Sequence, residues 1–88
     1  AAEGAGAFGL LLELVFPDTA RRITESVRIP TIGIGSGPNC DGQVLVTPDL
    51  IGAFPWFTPR FVKQRAQVAA NIREAVSAYI AGVKQPAV

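Results

Sequence analysis

The sequence predicts an α/β fold built on a small parallel sheet, and three observations support that prediction. Short apolar segments without polar alternation are typical of strands that are covered on both faces, and residues 8–15 and 29–34 form two such segments. Apolar residues at helical spacing follow the first of these segments and recur at 59–84. The resulting order of strand, helix, strand, loop, strand, helix is typical of a parallel sheet with crossover helices.

The first predicted strand covers residues 8–15, where Glu13 interrupts a run of large apolar side chains. A helix is predicted over residues 17–27. Pro17 suits the first turn of a helix because its missing N–H would have no partner there. Asp18 is then placed near the positive end of the helix dipole.

The second predicted strand covers residues 29–34 and leads into a loop at 35–39, whose glycines and asparagine tolerate positive φ. The third predicted strand covers residues 43–46, and the Thr-Pro-Asp sequence at 47–49 ends it. One crossover helix cannot cover both faces of three parallel strands. We therefore expect other chain to cover the second face.

The last predicted element is a long helix over residues 59–84. Its apolar side chains recur at the spacing expected for one helical stripe. The stripe consists of Phe61, Val68, Ile72, Val76, Ile80 and Val83.

The composition predicts a single small domain, residues 1–88, that is part of something larger. The chain is 49% hydrophobic and 17% charged, with a mean hydropathy of +0.33, which is apolar for 88 residues. An excess of apolar surface in a short chain indicates a missing partner. That partner is either another subunit or the rest of a longer chain.

Charge and residue content argue against several classes of protein. A net charge of +1 provides no electrostatic basis for binding nucleic acid. The apolar run at 5–16 is too short to cross a membrane. The single cysteine, Cys40, cannot form an internal disulfide, which fits a reducing compartment and predicts a cytoplasmic protein. With no histidine and one cysteine, the chain lacks the ligands of a typical zinc site.

Glu13 is the strongest candidate for a catalytic residue. It is predicted at the C-terminal end of an apolar strand, where a buried carboxylate loses hydration and holds its proton more tightly. Such a carboxylate can act as a general base near neutral pH. The alternative is a glutamate that points to solvent at the end of the strand or pairs with an arginine.

The remaining candidates each have a structural interpretation that the sequence alone favours. The loop at 33–37 is either a phosphate cradle or a glycine-rich turn. Asp41 and Asp49 are metal ligands by residue type, but they also suit a turn and a helix cap. Cys40 has no histidine to activate it and is interpreted as an incidental thiol. The aromatic residues around Trp56 could line a substrate mouth, although a core or interface is the favoured interpretation.

The segment IPTIGIGSGPNCDGQVLV at 29–46 resembles the ketopantoate (3-methyl-2-oxobutanoate) hydroxymethyltransferases. The segments EGAGAFGLLLELV at 3–15 and FVKQRA at 61–66 extend the resemblance over most of the chain. It implies a (β/α)8 TIM barrel of the phosphoenolpyruvate/pyruvate-type superfamily, a fold of roughly 250 residues. This chain would then be the C-terminal part, with strands six to eight and a long C-terminal helix.

The resemblance also implies a function. The family transfers a hydroxymethyl group from 5,10-methylenetetrahydrofolate to 3-methyl-2-oxobutanoate to make ketopantoate, in pantothenate and coenzyme A biosynthesis. Glu13 aligns with the glutamate that removes the C3 proton of the keto acid. One departure is that the family's proline three residues after the glutamate is Phe16 here, and the proline follows at Pro17.

The resemblance also implies Mg²⁺ as the metal that holds the keto acid, with its ligands in strands that precede this chain. A homo-oligomer is expected, because related barrels exchange their last helix between subunits. The chain alone is expected to be inactive. Two alternatives remain open at this point. One is a non-catalytic α/β fragment or half-barrel that serves assembly, and the other is a metabolite-binding module that uses the loop at 35–37.

Overall fold

The chain forms two compact units in a computed structural model that describes residues 1–85. The first unit is Ala1–Leu45 and contains a parallel sheet with one helix, and the second begins at Val46 and contains two helices. The fold class is therefore α/β with a small parallel sheet and a C-terminal helix, as the sequence predicts. Residues 86–88 of the predicted domain lie outside the described part of the chain.

The sheet of the first unit has three parallel strands in the order β1-β2-β3. They are β1 (Leu10–Glu13), β2 (Thr31–Ile34) and β3 (Gly42–Gln43). In the register of β1 and β2, Leu10 is opposite Thr31 and Glu13 is opposite Ile34.

All three strands are shorter than the predicted 8–15, 29–34 and 43–46. The first strand ends at Glu13 because Leu14 has a φ of 53°, which lies outside the β region. The second ends because Gly35 turns the backbone with a φ of 66°. The third strand is short because β2, its pairing partner, ends at Ile34. Beyond β3 the N–H of Val44 still donates one hydrogen bond to the carbonyl of Gly33.

Helix α1 (Pro17–Ser26) connects β1 to β2 and agrees with the predicted 17–27 to within one residue. It ends where Val27 adopts an extended backbone. The hydroxyl groups of Thr24 and Thr31 lie 2.8 Å apart, which places α1 against one face of the sheet.

The core of the first unit lies between the sheet and α1. Leu12 and Ala20 are buried there, together with the hydroxyl side chain of Thr31. On the other face, Leu11 and Ile32 are 63% and 43% exposed. The second face of the sheet is therefore open within residues 1–45, because one helix covers only one face, and its cover by other chain stays a prediction.

The second unit contains the short helix α2 (Thr47–Leu50) and the helix α3 (Val68–Lys84). The prediction of a helix over 59–84 is wrong at its start, since α3 begins nine residues later. Backbone N–H groups at this point bond to the last residue of α2 and to the residue after it: Arg65 donates to the carbonyl of Leu50 at 2.8 Å and Val68 to that of Ile51 at 3.0 Å. These contacts fold residues 59–67 back on the chain, so they cannot join the helix.

The predicted stripe of α3 is present from Val68 to Val83, while Phe61 lies before the helix. From residue 70 to the end of α3 every residue is exposed, including Ile72 and Ile80. Among residues 1–85, none of the helices combines the length and the apolar character that crossing a membrane requires.

Candidate active site

Glu13 is the last residue of β1, at the C-terminal end of the parallel strands. In the register of the sheet Leu10 is opposite Thr31, so the two side chains lie on the same face. Because side chains alternate along a strand, Leu12 lies on that face too. Since Thr31 contacts α1, Glu13 belongs to the opposite face, with Leu11. Glu13 is thus at the C-terminal edge of an uncovered apolar surface.

The side chain of Glu13 is exposed, so the expectation of a buried carboxylate is wrong for this chain. The reason is that no element of residues 1–45 covers the face to which Glu13 belongs. Within residues 1–45 the carboxylate forms no hydrogen bond and no ion pair, and Arg21 pairs instead with Asp18 and Glu25. Glu13 is therefore open to a ligand rather than committed to a structural contact.

The backbone turns sharply directly after Glu13. Leu14 adopts a φ of 53°, the left-handed region that residues other than glycine rarely occupy. Its N–H donates to the carbonyl of Ile34 at 2.9 Å. The hydroxyl of Ser36 donates to the carbonyl of Leu12 at 2.6 Å and accepts the N–H of Val15 at 3.1 Å.

The loop that carries Ser36 has a clear structural reason for its glycines. Gly35 and Gly37 both have positive φ, 66° and 81°. A Cβ atom on Gly37 would also lie only 2.7 Å and 2.9 Å from side-chain atoms of Pro17, which is closer than real Cβ contacts. This geometry is that of the glycine-rich turn in the sequence analysis.

Asp41 uses its carboxylate to bind the backbone. Its Oδ2 atom accepts the N–H of Thr31 at 2.9 Å, and its own N–H donates to the hydroxyl of Thr31 at 3.2 Å. This is the turn-type role rather than that of a free metal ligand. The neighbouring residue, Cys40, packs against Gly33. A Cβ atom added to Gly33 would lie 2.9 Å from the Sγ atom of Cys40.

Asp49 and the aromatic residues belong to the second unit. Asp49 lies inside the four-residue helix α2, whose N-cap is Val46, so it is not the capping residue that the sequence suggested. Phe54 and Trp56 are neighbours, with ring centroids 5.3 Å apart and planes tilted by 33°. Trp56 is exposed, which argues against a place in the core of this chain and leaves the interface interpretation as a prediction.

The comparison with known proteins decides the family. A family model described as ketopantoate hydroxymethyltransferase matches residues 1–87. The chain belongs to the ketopantoate hydroxymethyltransferase family. The resemblance of the segments at 3–15 and 29–46 is thereby confirmed over nearly the whole chain.

Individual relatives carry the same name. The chain is 54% identical over 84 residues to 3-methyl-2-oxobutanoate hydroxymethyltransferase of Anaeromyxobacter dehalogenans. The match covers 96% of this chain and 28% of that protein. The corresponding protein of Rhizobium rhizogenes is 56% identical over 84 residues, with 96% and 31% covered. The protein of Syntrophus aciditrophicus is 55% identical over 82 residues, with 93% and 30% covered. The chain thus spans less than a third of the length of these relatives.

A magnesium site within this chain would need several oxygen ligands close together. Within residues 1–85, no group of three or more acidic, histidine or cysteine side chains is placed to hold a metal. Asp41 already binds Thr31 through its carboxylate. Residues 1–85 by themselves therefore do not fit a magnesium site.

Sequence reasoning missed two residues of this ketopantoate hydroxymethyltransferase segment. Neither the left-handed backbone of Leu14 nor the contacts of Ser36 beside Glu13 was expected. The Gly-Ser-Gly spacing indicates a loop after β2, and parallel pairing places that loop beside the end of β1. Nothing in the sequence shows which backbone atoms the serine hydroxyl reaches.

Proposed function

We propose that this chain is the part of a ketopantoate hydroxymethyltransferase that supplies the catalytic base, Glu13. The complete enzyme transfers a hydroxymethyl group from 5,10-methylenetetrahydrofolate to 3-methyl-2-oxobutanoate. The supporting observation is the place of Glu13 at the C-terminal end of a parallel strand, on the face opposite the helix. In barrel enzymes the helices lie outside, and the active site forms at that end of the strands.

In this reaction Glu13 carries out one step, the removal of a proton. The C3–H bond of the keto acid breaks, the proton passes to a carboxylate oxygen of Glu13, and the electron pair delocalises into the carbonyl group as an enolate. Within residues 1–45 no salt bridge occupies the carboxylate, so its oxygens are open to accept the proton. Leu11 and Ile32, exposed on the same face, supply an apolar surface next to the base.

The other requirements of the reaction are met outside this segment. Family membership implies a keto acid and a folate as substrates, and the resemblance implies Mg²⁺. Residues 1–85 do not fit a metal site, so the Mg²⁺ ligands would belong to the rest of the enzyme, more than two thirds of its length. The isolated chain is accordingly expected to be inactive, and a cytoplasmic homo-oligomer remains the prediction for the whole enzyme.

The test uses Glu13→Gln in the complete enzyme. By complete enzyme we mean the full-length protein that carries this sequence, or the Anaeromyxobacter relative with its matching 84 residues replaced by this chain. Exchange of the C3 proton is followed by proton NMR in deuterated buffer with 3-methyl-2-oxobutanoate and Mg²⁺. Loss of the base should lower the exchange rate by about 10²–10⁴-fold.

The matched control is Glu25→Gln, the same substitution on the exposed surface of α1. It removes an exposed ion pair with Arg21 and should leave the exchange rate unchanged. Binding of the keto acid, measured by calorimetry, should survive in both variants. Undiminished proton exchange in Glu13→Gln would show that another group removes the proton.

A second candidate function is supported by a different observation. The exposed apolar side chains of α3, among them Ile72 and Ile80, favour a non-catalytic segment whose task is assembly. This alternative predicts that Glu13→Gln changes neither exchange nor turnover. The same NMR experiment therefore separates the two candidates.

A further inference from the structure

We propose that Ser36 is a positioning residue for Glu13. Its single hydroxyl group binds the backbone on both sides of the Glu13–Leu14 step and so sets the direction in which the carboxylate leaves the strand. The inference rests on the proposed function of Glu13. It adds a second residue to the site, from a loop more than twenty positions further along the chain.

The contacts of Ser36 are specific. The side chain is completely buried, and its Oγ atom donates to the carbonyl of Leu12 at 2.6 Å. The same atom accepts the N–H of Val15 at 3.1 Å. A serine hydroxyl combines one donor with acceptor capacity in a single atom, so it can bridge a carbonyl and an N–H that no apolar side chain could join.

The bridged segment is strained. Leu14 holds a φ of 53°, and such a conformation persists only where the surroundings impose it. Its N–H is fixed to the carbonyl of Ile34 at 2.9 Å. Together with the two bonds of Ser36, this makes three hydrogen bonds across four consecutive residues. Glu13 lies within that segment, with its backbone fixed and its carboxylate free.

The loop that presents Ser36 is itself held in place. Gly35 and Gly37 adopt positive φ on either side of the serine. Gly37 lies so close to Pro17 that a Cβ atom would overlap with it. The loop that carries the hydroxyl therefore packs against the first turn of α1, which holds it in place.

This arrangement has a consequence for catalysis. A general base must lie within hydrogen-bond reach of the proton it removes. A misplacement of about 1 Å can cost about 10²-fold in rate. Without the hydroxyl, the carbonyl of Leu12 and the N–H of Val15 lose the bridge between them, and fewer contacts hold Leu14 in its left-handed conformation. The carboxylate of Glu13 would then remain in the site, but at the wrong position to reach the C3 proton.

The test compares two variants of the complete enzyme. Ser36→Ala removes the bridging hydroxyl and should lower kcat for C3 proton exchange by about 10–100-fold, with KM for the keto acid changed less than about threefold. Thr31→Val is the matched control, because it removes another fully buried hydroxyl, which lies in β2 and bonds to Thr24 and Asp41. It should lower the melting temperature and leave kcat of the folded enzyme unchanged.

A double-mutant cycle with Glu13→Asp supplies a readout that a merely structural role would not move. In Glu13→Asp the carboxylate is already withdrawn by one methylene group. If Ser36 acts through Glu13, adding Ser36→Ala to that variant should lower kcat less than about threefold, which is far from the full effect. Full and independent effects of the two changes would overturn the inference.

The two proposals fail in different ways. If Glu13→Gln retains proton exchange, the proposed function is wrong, whatever Ser36→Ala does. If Glu13→Gln loses exchange while Ser36→Ala keeps the kcat of the unchanged enzyme, only the role of Ser36 is wrong. A kcat loss in Thr31→Val as large as in Ser36→Ala would also overturn it, because a buried hydroxyl without contact to the Glu13 segment would then matter equally.

Discussion

At the scale of single residues, backbone angles that ordinary residues avoid surround Glu13. Leu14 has a φ of 53° and Gly37 one of 81°, and each lies within a few residues of a contact that holds the site. Strain of this kind is common at functional sites, where the surrounding structure imposes it. At Gly37 the positive φ and the closeness of Pro17 together require a glycine, whereas no such requirement explains the leucine at position 14.

We predict that Gly37→Ala destabilises the complete enzyme by about 1–3 kcal/mol. An alanine would need a left-handed backbone, and its Cβ would lie 2.7 Å from a side-chain atom of Pro17. The melting temperature measured by calorimetry should fall. The control is Gly4→Ala, whose Cβ would make only an ordinary contact at 3.7 Å with Ala1 and should change stability little. Equal melting temperatures for the two variants would contradict the prediction.

At the scale of elements, side-chain hydrogen bonds join the strands to their loops. Asp41 precedes β3 and binds the first residue of β2, Thr31, through its carboxylate and its own N–H. Thr31 in turn contacts Thr24 of α1. This chain of bonds fixes the start of β2 between the helix and the loop, while Ser36 fixes the turn after β1.

We predict that Asp41→Ala costs about 1–3 kcal/mol of stability, because it leaves the N–H of Thr31 without its acceptor. Asp41→Asn keeps a side-chain oxygen in the same place and should cost clearly less. Denaturant unfolding of the complete enzyme measures both. If alanine and asparagine prove equally well tolerated, the bond to Thr31 is not what stabilises this loop.

At the scale of the whole molecule, the chain leaves much apolar surface exposed. One face of the sheet carries Leu11 and Ile32, and α3 carries an apolar stripe that includes Val76 and Ile80. Exposed apolar patches of this kind mark surfaces that bind other protein. The relatives are more than three times as long as their match to this chain, so further chain is one source of cover.

We predict that the isolated chain associates in solution. Sedimentation at micromolar concentrations should detect dimers or larger species, because association buries the apolar side chains that the chain alone exposes. The double variant Val76→Lys, Ile80→Lys places two charges on the stripe of α3 and should weaken the association. A well-folded monomer of the unchanged chain would refute the prediction.

The sequence predicted the fold class and the helix α1 well, because these depend on local patterns. The missing side-chain alternation at 8–15 indicated a parallel strand, and Pro17 marked the start of α1. Strand ends and the start of α3 were predicted poorly. The strand ends depend on the backbone turns at Leu14 and Gly35. The start of α3 depends on contacts such as the bond from Arg65 to Leu50, between segments whose pairing no local pattern reveals.

For the site, the sequence by itself determined the residue types: a carboxylate at the end of an apolar strand, a glycine-rich loop after the next strand, and the family to which both belong. Only the tertiary structure decided how they meet. It placed Glu13 on the uncovered face, and it brought the buried hydroxyl of Ser36 to the backbone on both sides of Glu13. The physical reason is that hydrogen bonds between residues more than twenty positions apart depend on strand register and loop geometry, which are properties of the folded chain.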